Sequence, residues 1–150
     1  MSTYIHKRHN VSNLLYHIVC PTKYRRAVIS AEVDTVLSSV CLEISARYEL
    51  EFLEIGTDLD HVHFLVQSVP TYSPTKIVRL VKSITARHIF SLVPSVKTWL
   101  WGGAFWSSGY FINSVSRHGS EDVIRNYVKN QGKIDEYNRL YISQLTLFDE

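Results

Sequence analysis

Two periodicities alternate along this chain. Leu14–Cys20 is an apolar run rich in β-formers and stopped by Pro21, which predicts a first strand. Val33, Leu37, Val40, Ile44 and Tyr48 then recur at helical spacing, predicting a helix over Ser30–Tyr48. Ser30 is placed to cap it, and Glu32 and Asp34 in the first turn face the positive helix end. Leu50–Asp58 and His61–Val69 read as two strands joined at Leu59-Asp60, a hairpin. Pro74 suits the start of a second helix, marked by Ile77, Leu80, Val81, Ile84 and Ile89 and ending before Pro94. Phe105–Ser114 predicts a fourth strand. Ser120 can cap a third helix reaching about Gln131, with Glu121 and Asp122 in its first turn.

This order is βαββαβ with one added C-terminal helix, an α+β fold of the ferredoxin-like or RRM-like kind. Such a fold is a four-stranded antiparallel sheet with two helices on one face and the other face open for work. The same architecture is a frequent platform for nucleic acids. At 150 residues the chain is expected to form one domain spanning 1–150. No apolar run approaches the roughly 20 residues that span a bilayer. The start, Met1-Ser-Thr-Tyr-Ile-His-Lys-Arg, has no apolar signal core, so a cytoplasmic protein is expected. Cys20 and Cys41 lie in apolar-patterned segments and read as buried, reduced thiols.

Charge looks uninformative until it is divided along the chain. The net charge is +2, from 16 basic and 14 acidic residues. Residues 1–31 hold five basic residues and no acid, and residues 61–120 hold six and no acid. The acids concentrate instead in residues 32–60, with eight against a single Arg. Acid-free stretches of this length offer a polyanion a surface without repulsion. Within them Lys76, Arg79, Lys82 and Arg87 make a loose basic flank on the second helix. Lys23, Arg25 and Arg26, with Tyr24 among them, follow the first strand. Phosphate contact is the favoured reading of both groups over plain solvated faces. Trp99, Trp101, Trp106, Tyr110 and Phe111 could stack unpaired bases, although large aromatics more often fill a core.

Asp60-His61-Val62-His63 is the sharpest local feature. Alternation along a strand sends His61, His63 and Gln67 to one face and Val62, Phe64 and Val66 to the other. Two neutral imidazoles at alternate strand positions can ligate one divalent ion, yet from the spacing alone a pair of surface histidines is the favoured reading. Asp58 and Asp60 read as turn residues before second contacts of a histidine, and His17 as a packed or surface residue before a ligand. In the third helix, Tyr127 and Gln131 stand four residues apart and share a face. A phenol becomes a nucleophile where a metal polarises its electrophile, and a carboxamide oxygen can join two imidazoles on that metal.

Together these features resemble the HUH single-tyrosine transposases, small enzymes of insertion sequences that move as single-stranded DNA. The resemblance runs through Tyr16–Arg26, Asp60–Val66, Tyr72–Val78, Leu100-Trp101-Gly102 and Ile124–Gln131, five segments in order. It implies that His61, His63 and Gln131 bind Mg²⁺ or Mn²⁺ and that Tyr127 attacks the scissile phosphate, leaving a 5′-phosphotyrosine and a free 3′-hydroxyl. It further implies DNA hairpins at element ends as substrate, no nucleotide cofactor, and a homodimer whose active sites are shared between subunits. Cys20-Pro21 departs from the bulkier apolar pair expected there and would end the first strand early. Two other readings keep the fold: a non-catalytic nucleic-acid-binding module, and a domesticated nickase.

Overall fold

The computed structural model describes residues 3–101 and 103–115. Two short strands, β1 (Ile5–His6) and β2 (Val11–Ser12), form an N-terminal hairpin that the polar sequence there does not announce. A four-stranded sheet follows, from β3 (Leu14–Pro21), β4 (Glu51–Thr57), β5 (His61–Ser68) and β6 (Phe111–Val115). Its order is β4-β5-β3-β6 and every pairing is antiparallel. Between strands run α1 (Ala31–Arg47), α2 (Pro74–Leu92) and a short α3 (Ser95–Trp99). This is the expected βαββαβ sheet. The expected third helix, with Tyr127 and Gln131, falls outside the described residues.

The helix boundaries follow their caps. Ser30 Oγ accepts from Val33 N at 3.3 Å, and Ser73 Oγ accepts from Lys76 N at 3.1 Å with Pro74 at the first helical position. Both helices lay their apolar stripes on one sheet face. There Val33, Leu37, Val40 and Ile44 of α1 meet Ile77, Val81 and Ile84 of α2 over Ile18, Cys20, Val62, Phe64 and Val66. Cys20 and Cys41 are buried free thiols, as expected, and burial pushes both up to about 12.

Three expectations need correction. β3 does not stop before Pro21: Pro21 pairs with His61, and its carbonyl accepts from Ser107 N at 2.9 Å. Proline is tolerated because β6 pairs only with Leu15–Val19, so no ladder asks Pro21 for an N–H. The fourth strand starts at Phe111 rather than Phe105. Phe105 and Trp106 are consecutive core residues, with Trp106 Nε1 donating to Thr85 Oγ1 at 2.9 Å. The next carbonyls turn toward Lys82, whose Nζ donates to Ser107 O at 2.7 Å and Gly109 O at 3.1 Å. The segment keeps one antiparallel bridge, Trp106 with Thr22, but no continuous ladder joins it to β6.

The third correction concerns the sheet face opposite the helices, which is not open where the histidines stand. Leu15, Leu65 and Val115 form a second small core there with Leu53. Leu53 is the extra residue of a β-bulge between Phe52 and Glu54, so β4 can place Phe52 and Ile55 against the main core and Leu53 on this face. Gln67 is buried too, and its Nε2 donates to Thr3 O at 2.6 Å and Asn13 Oδ1 at 3.0 Å.

Candidate active site

Register brings three imidazoles together on this second face. Val19 of β3 pairs with His63, and His17 pairs with Leu65, so His17 and His63 are diagonal neighbours across the ladder. Their rings stack with centroids 5.1 Å apart, and His17 Nε2 lies 2.8 Å from His63 Nδ1. One of those nitrogens donates and the other accepts. His61 stands edge-on to His63, also at 5.1 Å, and its Nδ1 is 2.9 Å from Asp60 Oδ1. His61, His63 and His17 expose 0%, 1% and 1% of their surface. Burial lowers His17 to about 4, and burial together with the neighbouring His17 and His61 holds His63 well below its usual value. At neutral pH both rings are therefore uncharged, the state in which imidazole nitrogens accept hydrogen bonds and bind metals.

Backbone contacts fasten this cluster to the turn after β3. Thr22 N donates to Asp60 O at 2.9 Å, and Thr22 Oγ1 lies 3.1 Å from the same oxygen and 2.7 Å from Arg26 O. Asp58 behaves as the turn residue expected, accepting from Leu59 N at 2.8 Å. Asp60 does more, since its carboxylate also holds His61. Gly56 is the residue of β4 paired with His63, so no side chain stands opposite that ring on the neighbouring strand.

The donor set suits a divalent ion in part. Both histidines are held at Nδ1, which directs Nε2 as the nitrogen each would offer a metal, an arrangement metal-binding histidines commonly adopt. Among the described residues, no group of three or more His, Cys, Asp or Glu side chains is arranged to hold an ion. A metal held by these two histidines would need a further ligand, such as a carboxamide.

A strand with alternating histidines, one of them carboxylate-braced, beneath a ferredoxin-like sheet narrows the comparison with known proteins. The family described as "Transposase IS200 like" matches residues 10–131. This chain belongs to that family. ISDra2 transposase TnpA of Deinococcus radiodurans is 33% identical over 121 residues, covering 81% of this chain and 86% of its own. The transposase for insertion sequence element IS200 of Salmonella typhimurium is 25% identical, covering 85% and 83%. Among solved structures, a candidate transposase from Deinococcus radiodurans superposes with a TM-score of 0.69 at 32% identity, covering 85% of this chain and 97% of its own. A REP-associated tyrosine transposase bound to a REP hairpin shares the fold, with a TM-score of 0.58 at 10% identity over 85% and 70% of the two chains.

The residues expected in such a transposase's site fare differently. The structure brings His61 and His63 together. Tyr127 and Gln131 lie outside the described residues. His17 joins the cluster although sequence reasoning set it aside; the available signal was a polar residue inside an apolar strand. Of the basic residues, Lys82 is engaged by the 107–109 carbonyls, and burial lowers its pKa. Arg26 lies over the ring of Trp101, Lys23 over Tyr24 and Lys76 over Tyr72. Arg79 and Arg87 lie on α2, where Arg87 lines a cleft with Glu43, Tyr48 and His88. Trp106 belongs to the core, whereas Trp99 and Trp101 are exposed. No described helix is long and apolar enough to cross a membrane.

Proposed function

We propose that this transposase cleaves and rejoins single-stranded DNA at insertion-sequence ends through a covalent 5′-phosphotyrosine on Tyr127. The observation that carries the reading is the pair His61 and His63, buried, neutral in the case of His63, and each anchored at Nδ1. In this reading His63 donates through Nδ1 to His17 and His61 donates to Asp60, so that Nε2 is the nitrogen each would offer the ion. His61, His63 and the Gln131 carboxamide would hold Mg²⁺ or Mn²⁺. The bound ion supplies charge withdrawal from the non-bridging oxygens of the scissile phosphate.

The Tyr127 oxygen attacks phosphorus, the bond from phosphorus to the 3′-oxygen breaks, and the phenolic proton is balanced by the proton gained at the leaving 3′-hydroxyl. Attack by a 3′-hydroxyl on the phosphotyrosine reverses the same bonds and rejoins the strand, so no nucleotide cofactor is consumed. We take the working form to be a cytoplasmic homodimer in which the histidines of one subunit face the tyrosine helix of the other, acting on hairpin-bearing ends. Lys23, Arg25, Arg26, Lys76, Arg79 and Arg87 would follow the phosphates, while Lys82 braces the 107–109 segment.

Incubation with DNA from the ends of its element and Mg²⁺ should give a covalent protein–DNA adduct that Tyr127→Phe abolishes. An adduct that persists in Tyr127→Phe would remove the nucleophile from this scheme. Metal-independent binding without any cleavage would favour the non-catalytic module.

A further inference from the structure

The turn after β3 carries a feature that strand cleavage does not require. Among the described residues, three other than glycine have left-handed backbone, Tyr24 (φ 58°), Arg25 (φ 51°) and Trp101 (φ 55°). This conformation disfavours side chains with a Cβ, and aromatic residues gain nothing local by adopting it. The chain nevertheless brings two of these strained residues together. Tyr24 and Trp101 lie with ring centroids 5.7 Å apart, inclined at 49°. Both face solvent, at 61% and 73% exposure. A lone exposed aromatic is ordinary, but two strained and adjacent ones have given up both burial and backbone comfort.

Cations complete the patch. The Arg26 guanidinium carbon sits 4.2 Å from the Trp101 ring centroid, and its solvent-shielded Nε has no hydrogen-bond partner among the described residues. Lys23 Nζ lies 5.2 Å from the Tyr24 ring. The chain's hydrogen-bonded frame fixes where this patch stands. Lys23 N donates to Phe105 O at 2.8 Å, Thr22 binds Asp60, and Pro21 pairs with His61. The aromatic pair is thus joined by two residues of β3 and its turn to the strand end that carries the histidines.

We propose that Tyr24, Trp101 and Arg26 form a stacking platform for an unpaired base of single-stranded DNA beside the histidine pair. Flat exposed rings accept any base by stacking, and flanking cations take the adjoining phosphates. Phosphates bracket every base in a strand, which matches a patch of rings flanked by Lys23 and Arg26 better than it matches an apolar protein partner. The assignment rests on the single-stranded DNA reading above and names one of its contacts.

The test compares binding of the full-length protein to a fluorescein-labelled oligothymidylate and to an equally long abasic oligomer, without metal. Charge is the same in both, so their ratio reports stacking alone. Wild-type protein should prefer the oligothymidylate by roughly 5- to 100-fold, the range for one stacked base. Trp101→Gly should erase most of that preference while leaving abasic binding within about twofold, and Trp101→Phe should restore it. Glycine suits a positive φ, so Trp101→Gly should melt no lower than wild type and folding cannot account for the loss. Tyr24→Ala should give a smaller loss of the same kind. An unchanged preference in Trp101→Gly, or an equal loss on both oligomers, would overturn the platform. So would dissociation of a dimer with base preference intact, which would assign the rings to contact between copies. Absence of a Tyr127 adduct would instead sink the cleavage reading and leave the base preference untouched.

Discussion

The two faces of the sheet are buried to similar depth and are built on opposite principles. Against the helices, Ile18, Val62, Phe64 and Val66 are interchangeable in kind, since any apolar side chain of suitable volume would exclude water there. On the other face, His17, His61, His63 and Gln67 are equally hidden but depend on named partners, His17 to His63, His61 to Asp60, Gln67 to Thr3 and Asn13. Burying polar groups costs stability unless each is satisfied, so this face depends on those partners staying in place. One strand, β5, supplies both faces with alternate residues.

Adjacent residues of β5 offer the strongest way to break this comparison. His63→Ala should lower metal-dependent strand cleavage by about 10³-fold, the scale of losing several kcal/mol of charge stabilisation. Its melting temperature should fall only by a few degrees. Phe64→Ala should do the reverse, costing about 3–5 kcal/mol of stability while the folded fraction keeps its specific activity. Cleavage kinetics and denaturant melts on the two variants separate the faces. Equal loss of stability in both would mean that the histidine face is merely more core.

A finer probe is His17, which touches the proposed ligand and not the metal. His17→Phe fills the space but removes the hydrogen-bond partner, and should weaken Mn²⁺ binding by roughly 10- to 100-fold. Calorimetric titration reads this directly. His17→Gln, whose carboxamide oxygen can still accept from His63, should recover part of it. Nitrogen shifts in the metal-free protein should show the His63 proton leaving Nδ1 in His17→Phe and staying there in His17→Gln. The smallest effect is expected at Lys82. Lys82→Met removes the donor shared by Ser107 and Gly109 and should cost about 1–2 kcal/mol. Faster proteolysis within 107–109, without change at His61 and His63, would show that this lysine serves the fold.

Much of this was legible from residues alone. Both long helices end within a residue or two of their expected limits, because Ser30, Ser73 and Pro74 act on backbone groups only a few residues away. The hairpin at Leu59-Asp60 and the facing of His61 with His63 follow from strand alternation. Errors gathered where a distant partner decided the outcome. Phe105–Gly109 keeps only the Trp106–Thr22 bridge of the strand expected there, while Lys82 and Thr85, more than 20 residues back in α2, hold its carbonyls and the Trp106 ring. Nor does the sequence alone tell that Arg26 lies over the Trp101 ring and Lys82 against the 107–109 carbonyls.

By itself the sequence determined the order of elements, the capped start of the first helix, the apolar face of each helix and the transposase family to which the chain belongs. The first three follow from periodicity and from short-range hydrogen bonding, which a few neighbouring residues specify. Tertiary structure alone decided that His17 belongs with His63, that Trp101 meets Tyr24 and Arg26, and that the histidine face is buried. Each of these is a contact between elements far apart in the chain, 46 residues in the case of His17 and His63. Such contacts are set by strand register. Register minimises the free energy of the whole sheet, so no local run of residues encodes it.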